Sequence, residues 1–225
     1  MMFKMPAHGR KGGLLIEILM IVIGINVALW FEGWFEDLRD AETEAQYLVD
    51  LRDDLRLDVQ NLDHVIKVNT DKINNIGEIL GKLDRLAELS PEEQSAAIFA
   101  PSSYGFFQPS DFTYRSMQES GDFRLISNAS IKKQILQLDR YHKDIAMLQD
   151  NFLQALDDGY IPLMMSSFDI VNSRIVDLSL FDNLNFRNFF GYTMQDTQAM
   201  VRGYEIARKR SNDLLAEIDG ELGDD

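Results

Sequence analysis

The sequence predicts an all-α protein: a single N-terminal transmembrane helix, then an elongated antiparallel bundle of long, coiled-coil-like helices. Three observations predict it. Residues 14–31, LLIEILMIVIGINVALWF, are apolar except for Glu17 and Asn26. Beyond them, apolar residues recur at three- and four-residue steps, the period of one helix face. Helix starts and stops are written between the long stretches, at Ser90-Pro91-Glu92-Glu93, at Gly121, and at Gly159 with Pro162.

The first element is the span, residues 14–34. At ~1.5 Å rise per residue, a run of this length suits a hydrocarbon core of ~30 Å. A buried core helix would carry a shorter apolar run and a polar stripe. A cleaved signal peptide would have a shorter apolar region and a small-residue cleavage site, whereas this run continues into Trp30, Phe31, Glu32, Gly33, Trp34 and Phe35. The expectation is an uncleaved signal anchor, with Trp30, Phe31, Trp34 and Phe35 as interfacial anchors in the headgroup layer. Residues 1–13 carry Lys4, Arg10 and Lys11 and no acid, while the far side opens with Glu32, Glu36 and Asp37. The positive-inside rule then leaves 1–13 as a cytoplasmic tail and puts 35–225 in the periplasm of a bacterial inner membrane.

Composition narrows the function. The chain has 225 residues and a net charge of −15; without Lys4, Arg10 and Lys11, 19 Lys+Arg face 37 Asp+Glu, a net −18. Nucleic acid is excluded as a natural partner, because phosphate binding needs a basic face. The same charge opposes lying flat on anionic lipid. With no cysteine, disulfides, thiol catalysis and cysteine-held metals are excluded.

The domain reads as helices in order. From Leu48, apolar residues fall at Leu51, Leu55, Val59, Leu62, Ile66, Ile73, Ile76, Leu80 and Leu83, with Asn69 in one core slot. This heptad pattern predicts one helix over 36–89, packed in a bundle within the chain or in a coiled coil between chains. Ser90, Pro91 and Glu93 form a capping box that starts a short helix to about Phe99. An aromatic loop spans 101–109, then Ser110 or Asp111 caps a helix over 112–120 that Gly121 stops. Residues 129–156 form the second long helix, broken near Gly159 and Pro162. Residues 186–222 form the third, fraying at the C-terminus.

Several stretches resemble a family of uncharacterised bacterial single-pass membrane proteins. They are EILMIVIGINVALW from Glu17 to Trp30, then Trp34, LRDDL at 51–55, TYRSMQESG at 113–121 and NFRN at 185–188. Members share a Glu-led span and a helical extracytoplasmic domain. The resemblance implies topology and supplies no activity.

Glu17 is the sharpest candidate residue, since a carboxylate in a span marks a helix contact, a partner or an ion path. Near the boundary it can also snorkel. Gly24 and Ala28 form a small-xxx-small pair that lets helices approach. Asn26 lies about 180° around the helix from Glu17. If both polar groups are satisfied in the membrane, the span needs neighbours on two sides, hence three or more helices; otherwise Asn26 bonds its own backbone. Tyr104, Phe106 and Phe107 form either an interaction loop or a flap over a bundle end.

The acidic run Glu32, Glu36, Asp37, Asp40, Glu42 and Glu44 reads as a solvated face. His64 and His142 lack metal-ligand spacing, and His8 lies in the tail; no metal, cofactor or catalytic motif is expected. The expected function is assembly or scaffolding without catalysis. Its partners are the lipid bilayer and either the chain itself, in an oligomer of three or more, or another membrane protein. Two alternatives stay open: an oligomeric channel or transporter subunit using Glu17 and Asn26, and a ligand-sensing bundle.

Overall fold

The computed structural model describes residues 10–172 and 174–223, with side chains from Glu17 onward. The expectations for Lys4 and His8, and the expected fraying at residues 224 and 225, lie outside the described residues. The chain divides into two compact units, Met1–Tyr47 and Leu48–Asp225. One helix, α1 (Arg10–Leu80), contributes to both.

The join expected near residue 35 is not a break in the helix. Between the apolar run and Leu48 there is no proline and only Gly33, and a single glycine costs about 1 kcal/mol, too little to end a helix alone. α1 does stop nine residues short of the expected 89. Gly77 and Gly81 weaken its last turns; Gly81 N donates to Gly77 O at 3.2 Å and Lys82 N to Ile79 O at 2.9 Å, tightening the end. A 3₁₀ segment, Leu83–Glu88, follows. The capping box then forms as expected and starts α2 (Pro91–Phe99).

After a 3₁₀ turn at Ala100–Ser102, an irregular strap leads to α3 (Phe112–Ser120), which ends on Gly121 at φ +81°. That left-handed position favours glycine. α4 (Ala129–Ala155) begins on Asn128, whose side chain accepts from Ser130 N and Ile131 N. The expected interruption is a π-turn, Leu156–Tyr160, running into α5 (Ile161–Ser167) with Pro162 in its first turn. The periodicity does not show the next feature, a two-residue ladder of β1 (Phe168–Asp169) and β2 (Arg174–Ile175). After a 3₁₀ turn at Leu178–Asp182, α6 (Leu184–Gly223) closes the chain.

From Leu48 on, α1, α4 and α6 form the bundle. α6 runs antiparallel to α1, with Arg208 on Asp63 at 2.6 Å and Asp219 beside Arg56 at 3.7 Å. It is antiparallel to α4 too, where Asn128 reaches Glu221 at 2.7 Å. A Cβ on Gly203 would sit 3.7 Å from Ile145, so α4 and α6 approach closely there. α1 and α4 run in the same direction: residues 51–58 share a cavity with 135–142, and Lys72 covers Phe152. The 48 residues between α1 and α4 make this possible, because they carry the chain back to the start.

The strap occupies that return path. Asn69 donates to Gly105 O at 2.7 Å, Asp58 accepts from Ser110 N at 2.7 Å, and Asp54 accepts from Thr113 N at 3.1 Å. Sequence numbers rise along the strap as they fall along α1, so the strap lies antiparallel to the helix. Buried non-helical backbone needs partners, and α1 and α4 supply them from side chains. Leu62, Ile76, Phe152, Tyr160, Phe186, Phe190 and Tyr204 fill the core around it.

Candidate functional site

In the first unit, Glu17, Gly24, Asn26 and Ala28 are all exposed. Asn26 Nδ2 donates to the Val22 carbonyl at 2.7 Å, one turn back on its own helix. A Cβ at Gly24 would meet nothing within 4 Å, so the small-residue face is open. Trp30, Phe31, Trp34 and Phe35 form a chain of ring contacts with centroids 5.2–6.4 Å apart. Every described side chain from Glu17 to Arg39 is exposed, and the 18-residue apolar window has mean hydropathy 1.9. This is one helix long and apolar enough to cross a membrane.

The strap takes up the aromatic cluster. Phe107 is buried; its N–H donates to Gln149 Oε1 at 2.9 Å and its carbonyl accepts from Gln149 Nε2 at 3.1 Å. Phe106 is half-buried and stacks on Tyr104, and both rings meet Phe152 edge-on. Tyr104 stays exposed.

The seam of α1 differs from the apolar periodicity at alternate positions. The buried residues are Leu48, Leu51, Leu55, Asp58, Leu62, Val65, Asn69, Lys72 and Ile76, while Val59, Ile66 and Ile73 are half-buried. Three polar residues thus sit in the seam: Asn69 in its expected core slot, and Asp58 and Lys72 where the pattern gave Val59 and Ile73. The strap explains two of them, since Asp58 and Asn69 bond its backbone. The spacing Leu48, Leu51, Leu55, continued strictly by three and four, finds Asp58 and Lys72 as well as Asn69.

Asp58 borders a cavity of about 180 Å³ between α1, the strap, α3 and α4, with α6 contributing Leu214. Leu51, Leu55, Ile135, Leu138 and Leu214 form much of its wall. Asp54, Asp111, Asp139, His142 and Lys143 also line it. Burial pushes the Asp58 carboxyl up to about 6, with the Ser110 hydrogen bonds opposing. Burial pulls the His142 imidazole down to about 4, against Asp139 and Asp111, so the ring is neutral at pH 7. His142 Nε2 has no hydrogen-bond partner among the described residues, and its ring lies edge-on to Phe107.

Further along, Lys72 is buried with its Nζ 4.4 Å from the Phe152 ring centre. Burial lowers its ammonium to about 8, against the pull of Asp196, whose own carboxyl burial raises. Lys72 Nζ and Asp196 Oδ2 lack hydrogen-bond partners among the described residues. His64 is exposed, and no group of three or more described His, Asp or Glu side chains could hold a metal ion.

Fold and site define an all-α protein with one candidate membrane helix and a helical unit built around an embedded strap. The chain belongs to a family of unknown function (DUF6090), whose profile matches residues 17–158. The match takes in the apolar helix, the strap and most of the cavity lining, and ends before α6. No curated protein and no solved structure matches the chain.

Proposed function

We propose that this is a bitopic membrane protein of the bacterial inner membrane that assembles through its span, as a homo-oligomer of three or more or as an accessory subunit of another membrane protein. The N-terminus is cytoplasmic, the helical unit periplasmic, and the protein has no catalytic role. The carrying observation is the exposed apolar helix itself: Glu17, Gly24 and Ala28 share one face, open at Gly24, Asn26 lies on the opposite face bonded to its own backbone, and the run has no polar stripe. Water tolerates such a surface poorly, lipid tolerates it well, and small residues let a second helix approach. Trp30, Phe31, Trp34 and Phe35 supply the interfacial ring layer.

Native mass spectrometry of the whole chain, extracted gently from its membrane, tests the reading. A defined complex that Gly24→Leu weakens supports it. A lone chain, or a complex indifferent to both Gly24→Leu and Asn26→Leu, overturns it. The pore alternative requires ion flux through the reconstituted complex, altered by Glu17→Gln. The ligand-sensing alternative gains from the cavity beside Asp58.

A further inference from the structure

We infer that the cavity between α1, the strap, α3 and α4 binds a small organic cation, an ammonium on a compact aryl or alkyl body. The size sets the body. A dry cavity of about 150 Å³ holds benzene, and this one is about 180 Å³. Its leucine and isoleucine wall offers dispersion contacts and no hydrogen bonds.

Charge sets the head group. Asp54, Asp58, Asp111 and Asp139 all border the space; Asp139 holds the one lining cation, Lys143, at 2.8 Å and Arg115 pairs with Asp111, which leaves Asp54 and Asp58 without a cationic partner among the lining groups. His142 brings no opposing positive charge, because burial keeps it neutral at pH 7. Tyr114, the remaining titratable lining group, has its phenol pushed up and so stays uncharged. Asp58 is the deepest carboxylate, 2% exposed, with a backbone N–H as its hydrogen-bond donor. An incoming ammonium would stabilise its ionised form, which burial now penalises. A neutral ligand of the same shape gains at most a hydrogen bond from these groups and no charge attraction, and an anionic one is repelled. A bare metal ion is disfavoured, since no three described carboxylates are arranged to hold one and the wall is apolar. The chain's net charge of −15 adds long-range attraction for cations. This inference stands apart from the membrane reading, because the cavity belongs wholly to the unit from Leu48 on.

The test is calorimetric titration of the full chain in lipid nanodiscs with phenethylammonium, beside its neutral analogue 2-phenylethanol and the anion 3-phenylpropanoate. The expected result is saturable binding of the ammonium, at least about tenfold tighter than either analogue, one charge interaction being worth that much or more at low effective dielectric. Asp58→Asn keeps an acceptor for Ser110 and removes the charge, so affinity should fall about tenfold. Should that variant fold poorly, Ala146→Phe is the second: Ala146 lies at the exposed edge of the cavity, and a larger side chain there should abolish binding. Affinity should also weaken as the pH drops below about 6 and Asp58 takes up a proton. The inference is overturned if phenethylammonium shows no saturable binding up to about 10 mM. It is equally overturned if 2-phenylethanol binds as tightly, or if Ala146→Phe leaves binding unchanged.

Discussion

In Met1–Tyr47 the apolar side chains stand outside: Ile18, Leu19, Met20 and their neighbours through Leu38 are exposed. In Leu48–Asp225 most apolar side chains are inside, and along α1 three polar ones, Asp58, Asn69 and Lys72, have joined them. The same helix, α1, carries both patterns. Burial therefore does not follow from helix periodicity alone; it follows from what lies against the helix. Along the second stretch, the strap's backbone and the Phe152 ring reward polar seam residues. Along the first, the described chain offers no cover, and the surroundings must provide it.

The largest expected effect breaks the first half of this comparison. Val22→Arg with Ile25→Arg puts two charges mid-helix, each costing ~2.5–3.5 kcal/mol in a membrane centre. Membrane fractionation should show the double variant largely lost from the membrane pellet, with the helical unit still folded by circular dichroism. Next comes the core of the second unit. Phe152 is fully buried and touches Tyr104, Phe106 and Lys72, so Phe152→Ala should lower unfolding free energy by about 3–5 kcal/mol in urea titrations.

The half-buried histidine gives a pH signature. His142 is lowered from 6.5 to about 4, so its contribution to stability is complete above pH 6.5 and is lost as the pH falls through about 4. The loss amounts to up to about 3 kcal/mol. Asp58 works in the opposite sense. Raised from 3.8 to about 6, it contributes most below 3.8 and loses that contribution as the pH rises through 6. Melting curves between these limits should therefore show a steeper acid loss for Asp58→Asn and a shallower one for His142→Gln. Lys72 sharpens the seam comparison at lower cost. Lys72→Met fills the same slot without an ammonium and should raise stability by about 1–2 kcal/mol. Asp196→Asn, which removes the charge facing that ammonium, should lower it. The smallest effect is local: Ser90→Ala removes the capping box of α2 and should cost about 1 kcal/mol.

Much of this architecture is legible in the sequence because its signals are local. The capping box at Ser90, the glycine stop at 121 and the interruption at Gly159 and Pro162 each act within a turn or two of their own residues. The strap is not legible, because its hydrogen bonds join residues 36–59 apart in sequence. The apolar pattern likewise gives Val59 and Ile73 the seam positions that Asp58 and Lys72 occupy, while it places Asn69 correctly. Apolar periodicity cannot anticipate a backbone segment that prefers carboxylate and amide partners. The cavity escapes notice too, since Asp58, Asp111, Asp139 and His142 come together only when α1, the strap and α4 are laid side by side.

The central claim is that the apolar helix crosses a membrane and leaves the helical unit on the side opposite the basic tail. The natural absence of cysteine makes the direct measurement clean. Asn151→Cys, at an exposed position of α4, and Ala7→Cys, in the tail, are each challenged with a membrane-impermeant maleimide on cells whose outer envelope alone has been opened. The account predicts labelling of Asn151→Cys in those cells and labelling of Ala7→Cys only after lysis. The reverse pattern, or labelling of both only after lysis, would contradict it.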